Sequence, residues 1–283
     1  MSSSEHEFMV RSVDDLSLDM LEPDKRIIDI TEKNVTIINA ILRIDSSYRN
    51  AFDENDESGV SSAYLISHEP FLKEDGSYST DENDLKAIIE RINIENSTHL
   101  AVAGAQSDVL DVIYGRIGTL KAELESRTPT LVDDIAKSCK ARDSFSFATK
   151  FCHYVSLYTL QGEVKDSYPI YDRVLADVLA YYYLKYAEDK QLFVKTRCRT
   201  CRSVLDELIL VDRKASDKQY RYEIYRNFID AIISGVEREK KFRISRTDLD
   251  HLLWYYYKGD VNLRNKVNEQ FVAMLKKLKY KNR

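Results

Sequence analysis

The amino-acid sequence predicts a mainly α-helical protein, and three features carry that expectation. Helix breakers are scarce, with 8 Gly and 4 Pro in 283 residues. Apolar residues make up 43% of the chain and recur over long stretches at three- and four-residue intervals. Ser, Thr or Asp stands at the start of several of these runs, where a side-chain oxygen can accept from the free amides of a first helical turn. The length suits one large or two modest domains with a sizeable core. The composition excludes collagen-like, disulfide-scaffold and wholly disordered chains.

Along the chain, residues 1–25 are a polar, acidic lead-in without a sustained period. Residues 31–49 form a candidate first helix, with Thr31 as cap and Ile37, Ile38, Ile41 and Leu42 on one face, although Val35-Thr36-Ile37-Ile38 also suits a strand. Residues 51–82 read as a long connection, polar around Asn50 to Gly59 and again at Gly76-Ser77. Thr80-Asp81-Glu82 then opens a helix with Leu85, Ile88, Ile89 and Ile92 on its face. Ser97 to Leu120 holds one or two further helices, and Pro129 opens a short one running from Leu131 to Ala141. Asp143 or Ser144 can cap a segment reaching about Leu160, and Asp172 can cap Arg173 to Ala187. Helical spacing continues over 191–211 and 217–238. Ser245 with Asp248 resembles a capping box before His251, Leu252 and Trp254, and a last basic helix covers 261–280. The expected organisation is an acidic, partly irregular region over 1–82 and a helical domain over 83–283 with a basic C-terminal half. No internal repeat, Gly-rich phosphate loop or low-complexity tract occurs.

The net charge of -5 conceals a strong polarity. Residues 1–136 carry 12 Lys+Arg against 28 Asp+Glu, whereas residues 137–283 carry 30 against 19. A basic half can face a polyanion such as DNA or RNA, or the two halves can pack on each other. The opening Met1-Ser2-Ser3-Ser4-Glu5-His6-Glu7 lacks the basic and apolar parts of a secretory signal. No run of 18 apolar residues could span a membrane. The expected location is the cytoplasm, with all four cysteines reduced.

The segment from Asp143 to Val155 is the most informative. As a helix it is apolar nearly all round, with Ala148, Phe151, Cys152 and Val155 on one face and Phe147, Tyr154 and Leu157 on another. Lys150 is nevertheless within it, the only Lys, Arg, Asp or Glu between Asp143 and Glu163. Burial disfavours an ammonium ion, and a neutral amine is a nucleophile able to form a Schiff base. The alternative is a lysine whose stem packs while its head reaches water. In Ser167-Tyr168-Pro169-Ile170-Tyr171-Asp172-Arg173, proline enforces an extended approach to a helix opened by Asp172. Asp172 is either a plain cap or the partner of Lys150, brought to it by a helix, a connection and a return.

This pairing resembles the helix-hairpin-helix DNA glycosylases, in particular their 8-oxoguanine branch. That branch has a hairpin of the form G-V-G-T-K-V-A entering a helix and, about twenty residues on, a segment such as P-V-D-x-H-V. Here Ser146-Phe147-Ala148-Thr149-Lys150-Phe151-Cys152 corresponds to the first and Tyr168-Pro169-Ile170-Tyr171-Asp172-Arg173-Val174 to the second, within a resemblance covering 130–187, about a fifth of the chain. The resemblance implies a helix-hairpin-helix glycosylase-like bundle with an acidic N-terminal elaboration. It implies that Lys150 attacks the sugar carbon bearing a flipped base and that Asp172 stabilises the developing positive charge. It implies double-stranded DNA, damaged or modified, as the partner, and neither metal nor organic cofactor. A non-catalytic nucleic-acid- or protein-binding module on the same fold is the alternative, and the acidic half could meet a protein partner. The chain departs from the family at Ser146 and Ala148, which stand where glycines let backbone amides approach a phosphate. Asp143 beside them would repel one.

Other residues complete the candidate site. Lys195, Arg197, Arg199 and Arg202 can contact phosphates or form a solvated helix face. Phe147, Tyr154 and Trp254 can line a base pocket or pack in a core. Cys198 and Cys201 form a single CxxC with no second pair to complete a zinc site, so structural thiols are expected.

Overall fold

The computed structural model describes residues 21–44, 61–139, 143–210 and 220–281, apart from 22, 25, 97, 99 and 101–103. The lead-in 1–20 and much of the acidic stretch before Ser61 lie outside the described residues. Within them the protein is mainly α-helical, as the sequence predicts. Strand β1 (Pro23–Asp24) pairs antiparallel with β2 (Ile27–Ile28). Thirteen α-helices follow among the described residues: α1 (Glu32–Ile44), α2 (Ser62–Ser67), α3 (Glu82–Asn96), α4 (Ala105–Tyr114), α5 (Ile117–Glu125), α6 (Pro129–Ser138), α7 (Phe145–Thr159), α8 (Arg173–Tyr186), α9 (Gln191–Lys195), α10 (Cys201–Leu210), α11 (Arg221–Lys240), α12 (Arg246–Tyr257) and α13 (Val261–Lys281). A short 3-10 helix, Gly162–Asp166, links α7 to the approach to α8.

Two helices organise the rest. Both α7 and α8 are buried on nearly every face, so each must be wrapped by others. Helices α2, α3, α5 and α6 pack on α7, while α10, α11, α12 and α13 pack on α8. A contact between α6 and α11 joins the two groups, and α1 lies on α12. Residues 27–44 thus pack with the C-terminal helices. Ile28 donates its N–H to the Tyr257 hydroxyl (3.2 Å) and accepts from the Tyr182 hydroxyl at its carbonyl (2.7 Å). Asp29 takes ammonium groups from Lys185 (2.6 Å) and Lys240 (3.0 Å) and the hydroxyl of Tyr186. Burial alone would raise the Asp29 pKa, but these three donors pull it down to about 2. Part of the opposite charge of the two halves is therefore spent between them.

The caps read from sequence form. Thr31 Oγ1 accepts from Asn34 N (3.2 Å), and Ser245 and Asp248 bond each other's backbone amides at 2.9 and 3.1 Å. Two expectations need correction. The connection over 51–82 contains α2, because Ser61 Oγ accepts from Tyr64 N (3.1 Å) and Ala63 and Ile66 bury their side chains. The helix expected over 191–211 is two helices, α9 and α10, separated by an extended stretch over 196–200. Thr196 is buried there, accepting from Cys198 N (3.1 Å) and donating to Glu207, and Thr200 Oγ1 accepts from Ser203 N (3.1 Å). These local side-chain bonds satisfy amides that a continuous helix would use, and the helix stops.

Where α11 crosses α8, Gly235 meets the backbone of Tyr186. A Cβ at position 235 would stand 2.2 Å from the Tyr186 carbonyl oxygen and 2.6 Å from its carbon. The same carbonyl accepts from Arg238 (2.9 Å), so it cannot simply turn away. Gly235→Ala should therefore cost about 3 kcal/mol or more by overpacking. A urea denaturation midpoint equal to the parent's would contradict this.

Candidate functional site

Helix α7 begins where Asp143 Oδ1 accepts from Phe145 N (3.0 Å), and Phe145, Phe147, Phe151 and Val155 are all buried. The same helix carries Lys150, which is 7% exposed. Among the described residues no ion pair holds its ammonium nitrogen, although the charges of Asp172 and Asp250 act on it. Its nitrogen is not among the buried side-chain atoms left without a partner, so the stem packs in the core while the head keeps a little contact with solvent.

Asp172 is delivered to the same place by an extended strap in which each residue is tied to a buried side chain. The carbonyl of Tyr168 accepts from His153 Nδ1 (2.8 Å), that of Pro169 from the Tyr222 hydroxyl (3.5 Å) and that of Ile170 from the Tyr225 hydroxyl (2.5 Å). The amide of Tyr171 donates to Thr149 Oγ1 (3.1 Å), which fixes the strap to the residue beside Lys150. Asp172 then caps α8, its Oδ1 accepting from Leu175 N (2.8 Å). The sequence-predicted juxtaposition of Lys150 and Asp172 is thus present. Its registration depends on Thr149, His153, Tyr222 and Tyr225, none of which the motif alone would single out.

A third ionisable group completes the cluster. Asp250, in α12, has an Oδ1 that is buried with no hydrogen-bond partner. Burial lowers the Lys150 pKa, against the opposing pull of Asp172 and Asp250. Burial raises that of Asp172, against Lys150 and the Leu175 and Val174 amides. Burial, with the neighbouring charge of Asp172 adding to it, pushes Asp250 well above the usual carboxylate range. Sequence analysis missed Asp250. The signal was its spacing from Leu253 and Tyr257, both buried, which sets it on the inward side of an amphipathic helix.

The other predicted residues are scattered. Phe147 is 1% exposed and stacked on Phe151, so it is a core ring and not part of an open base pocket. Tyr154, also buried, lies one turn from Lys150 and donates its hydroxyl to Asn96 (2.8 Å). Trp254 is half-buried, one turn beyond Asp250, with the Lys258 ammonium 3.9 Å from its ring centroid. Lys195, Arg197 and Arg199 do not share a helix face, because the helix breaks. They are exposed at alternate positions from the end of α9 through the extended stretch. Arg202 is engaged by Asp177 (2.6 Å). Cys198 and Cys201 are free thiols, and no group of three metal-ligating side chains occurs among the described residues.

Helices α6 and α7 pack together. Asp143, the residue expected to repel phosphate, is paired with Arg221, whose guanidinium lies 3.8 Å from the Phe145 ring centroid.

Residues 48–159 match the family model HI_0787_N, described as an N-terminal domain. The match stops at the last residue of α7, so it includes Lys150 and excludes Asp172 and Asp250. No curated protein and no solved structure matches the chain. Among the described residues no helix is long and apolar enough to cross a membrane.

Two predictions follow from the strap and its surroundings. Tyr225→Phe leaves the Ile170 carbonyl buried without a donor and should lower stability by about 1–3 kcal/mol. Urea denaturation measures this, and an unchanged midpoint would remove Tyr225 as a pin. His251 is neutral in the folded protein, its pKa lowered from 6.5 to about 4 by burial and by nearby His153. The unfolded chain therefore binds a proton first on acidification, and stability drops as pH falls from about 6.5 toward 4, by about 2 kcal/mol. His251→Gln should flatten that part of the stability–pH curve, and an unaltered slope would exclude His251 as its source.

Proposed function

We propose that the protein is a DNA glycosylase and abasic-site lyase that acts through a Schiff base at Lys150. The observation that carries this reading is a lysine packed into the apolar helix α7 that feels the charge of a carboxylate fixed at the start of α8. Burial favours the neutral amine, and the amine attacks C1′ of a nucleotide drawn out of the duplex. Asp172, held by the α8 amides, supplies fixed negative charge against the positive charge that grows on the sugar. The imine at C1′ acidifies the neighbouring C2′ proton, so the 3′ phosphate leaves by β-elimination. The exposed Lys195, Arg197 and Arg199 offer cations to the phosphate backbone, which makes binding fall steeply with salt. The protein works in the cytoplasm on double-stranded DNA.

One observation favours a second reading, a binding module on the same bundle. In the first turn of α7, Ser146 and Ala148 stand where the family has glycines, and Asp143 is paired with Arg221.

The test uses an oligonucleotide duplex with one abasic site and borohydride. The parent protein should form a covalent adduct, and Lys150→Gln, folded by circular dichroism, should lose it by at least about 100-fold. No adduct from the folded parent would sink the lyase reading and leave the binding module.

A further inference from the structure

The stretch between α9 and α10 is fastened along one side of α13. Lys279, near the end of α13, donates from its ammonium group to the Thr196 carbonyl. Asn268, three turns earlier on the same side of that helix, accepts from Cys201 N (3.0 Å). Helix α9 itself packs on α13. The fastened stretch alternates: Thr196 is buried and Cys198 half-buried, whereas Lys195, Arg197 and Arg199 are exposed. In extended backbone such alternate residues repeat about 6.6 Å apart along one side. That is close to the separation of neighbouring phosphates along one strand of a duplex. Lys276, exposed one turn before Lys279, borders the same stretch from α13. Lys277 and Lys281 stand roughly 160° around the helix from Lys279, on its far side.

Among the described residues no ion pair takes up Lys195, Arg197, Arg199 or Lys276. Two carboxylates lie in the same elements. Glu207, on α10, already accepts from the Thr196 hydroxyl, and Glu269 is exposed two turns before Lys276. Lysines in the last turns of a helix complement its dipole, which accounts for α13 alone. It does not account for three cations at alternate positions outside any helix end. Contacts also join this surface to the strap. Helix α10 begins at Cys201, pairs Arg202 with Asp177 of α8 (2.6 Å), and one turn later accepts the Tyr171 hydroxyl at Asp206 (3.1 Å).

We propose that Lys195, Arg197, Arg199, Lys276 and Lys279 form one surface that grips the phosphodiester backbone of duplex DNA, damaged or not. The inference rests on DNA as the partner in the reading above and not on the chemistry of Lys150. The three alternate cations follow successive phosphates of one strand, and the two lysines of α13 flank them. Each cation releases a counterion condensed on the duplex, so affinity comes from ion release and falls with salt. Phosphate contacts carry no base identity, so the grip holds on any sequence and keeps the protein on DNA before its site is engaged.

The experiment measures affinity of the full chain for a short undamaged duplex by fluorescence anisotropy, between about 50 and about 200 mM salt. Replacing Lys195, Arg197 and Arg199 together by Gln should flatten the slope of log affinity against log salt by about 2.7, at about 0.9 per phosphate contact. Lys276→Gln should flatten it by about 0.9. Arg197→Lys with Arg199→Lys keeps the charges and should keep the slope. Lys277→Gln with Lys281→Gln removes two charges from the far side of α13 and should leave the slope alone. A slope unmoved by the triple replacement, or flattened as much by the far-side pair, overturns the proposal. So does a parent that ignores the duplex and binds phosphatidylserine vesicles, which would assign the surface to a membrane. Parent-level adduct with an abasic duplex from the triple variant, at unchanged affinity, overturns the surface and leaves the lyase reading standing. The expected slopes without any adduct from the parent support the surface and remove only the chemistry of Lys150.

Discussion

A helix with no polar face constrains everything around it. Helix α7 buries residues on every side from Phe145 to Ser156, and α8 does the same from Leu175 to Tyr186. Each fully buried large apolar side chain contributes about 1.5–3 kcal/mol relative to exposure, so neither helix is stable until neighbours enclose it. The remaining helices are accordingly arranged as two wrappings, one for each, and the strap from Tyr168 to Asp172 lies where they adjoin. Inside such a double enclosure a charged side chain has nowhere to go. The Asp, Glu, Lys and Arg side chains buried among the described residues are Asp133, Lys150 and Asp172.

The local rules were readable in the sequence because they act over three or four residues. Thr31, Ser245 with Asp248, Pro129 and Asp172 mark helix starts by their own chemistry, and the structure has helices at each. The nearness of Lys150 to Asp172 was readable for a related reason: one helix, one short connection and one cap lie between them. Long-range constraints were not readable. The pins from Tyr222 and Tyr225 to the strap join positions more than 50 apart, and the bonds to Asp29 join positions 156 to 211 apart. Asp250 belongs with these, since its partners in the cluster come from other helices. The break after Lys195 was misread for the opposite reason. Thr196 and Thr200 have side chains able to replace helical hydrogen bonds, but only their partners, and for Thr196 its burial, decide that they do so.

The strap also explains why a site can sit inside a core without loosening it. Its carbonyls at 168, 169 and 170 and its amide at 171 all find protein partners, so an extended segment crosses a buried region with its backbone satisfied. Three aromatic hydroxyls or rings and one threonine do this work, and the tyrosines among them also pack on the strap, Tyr225 edge to face with Tyr171 and Tyr222 stacked on Tyr168. The buried side-chain atoms left without partners among the described residues, Asp133 Oδ2 on α6 and Asp250 Oδ1 on α12 among them, are spread over several helices.

The attachment of Ile28 and Asp29 has a consequence for how the chain reaches this state. These residues leave the ribosome more than 150 positions ahead of Tyr182 and Lys185, and more than 200 ahead of Lys240 and Tyr257. Their binding partners do not exist while the wrapping of α7 is being made. The contacts at Asp29 therefore close a very long loop, and closure follows, rather than nucleates, the assembly of the C-terminal helices. During synthesis the apolar Ile27 and Ile28 have no C-terminal helix to pack against until those helices are made.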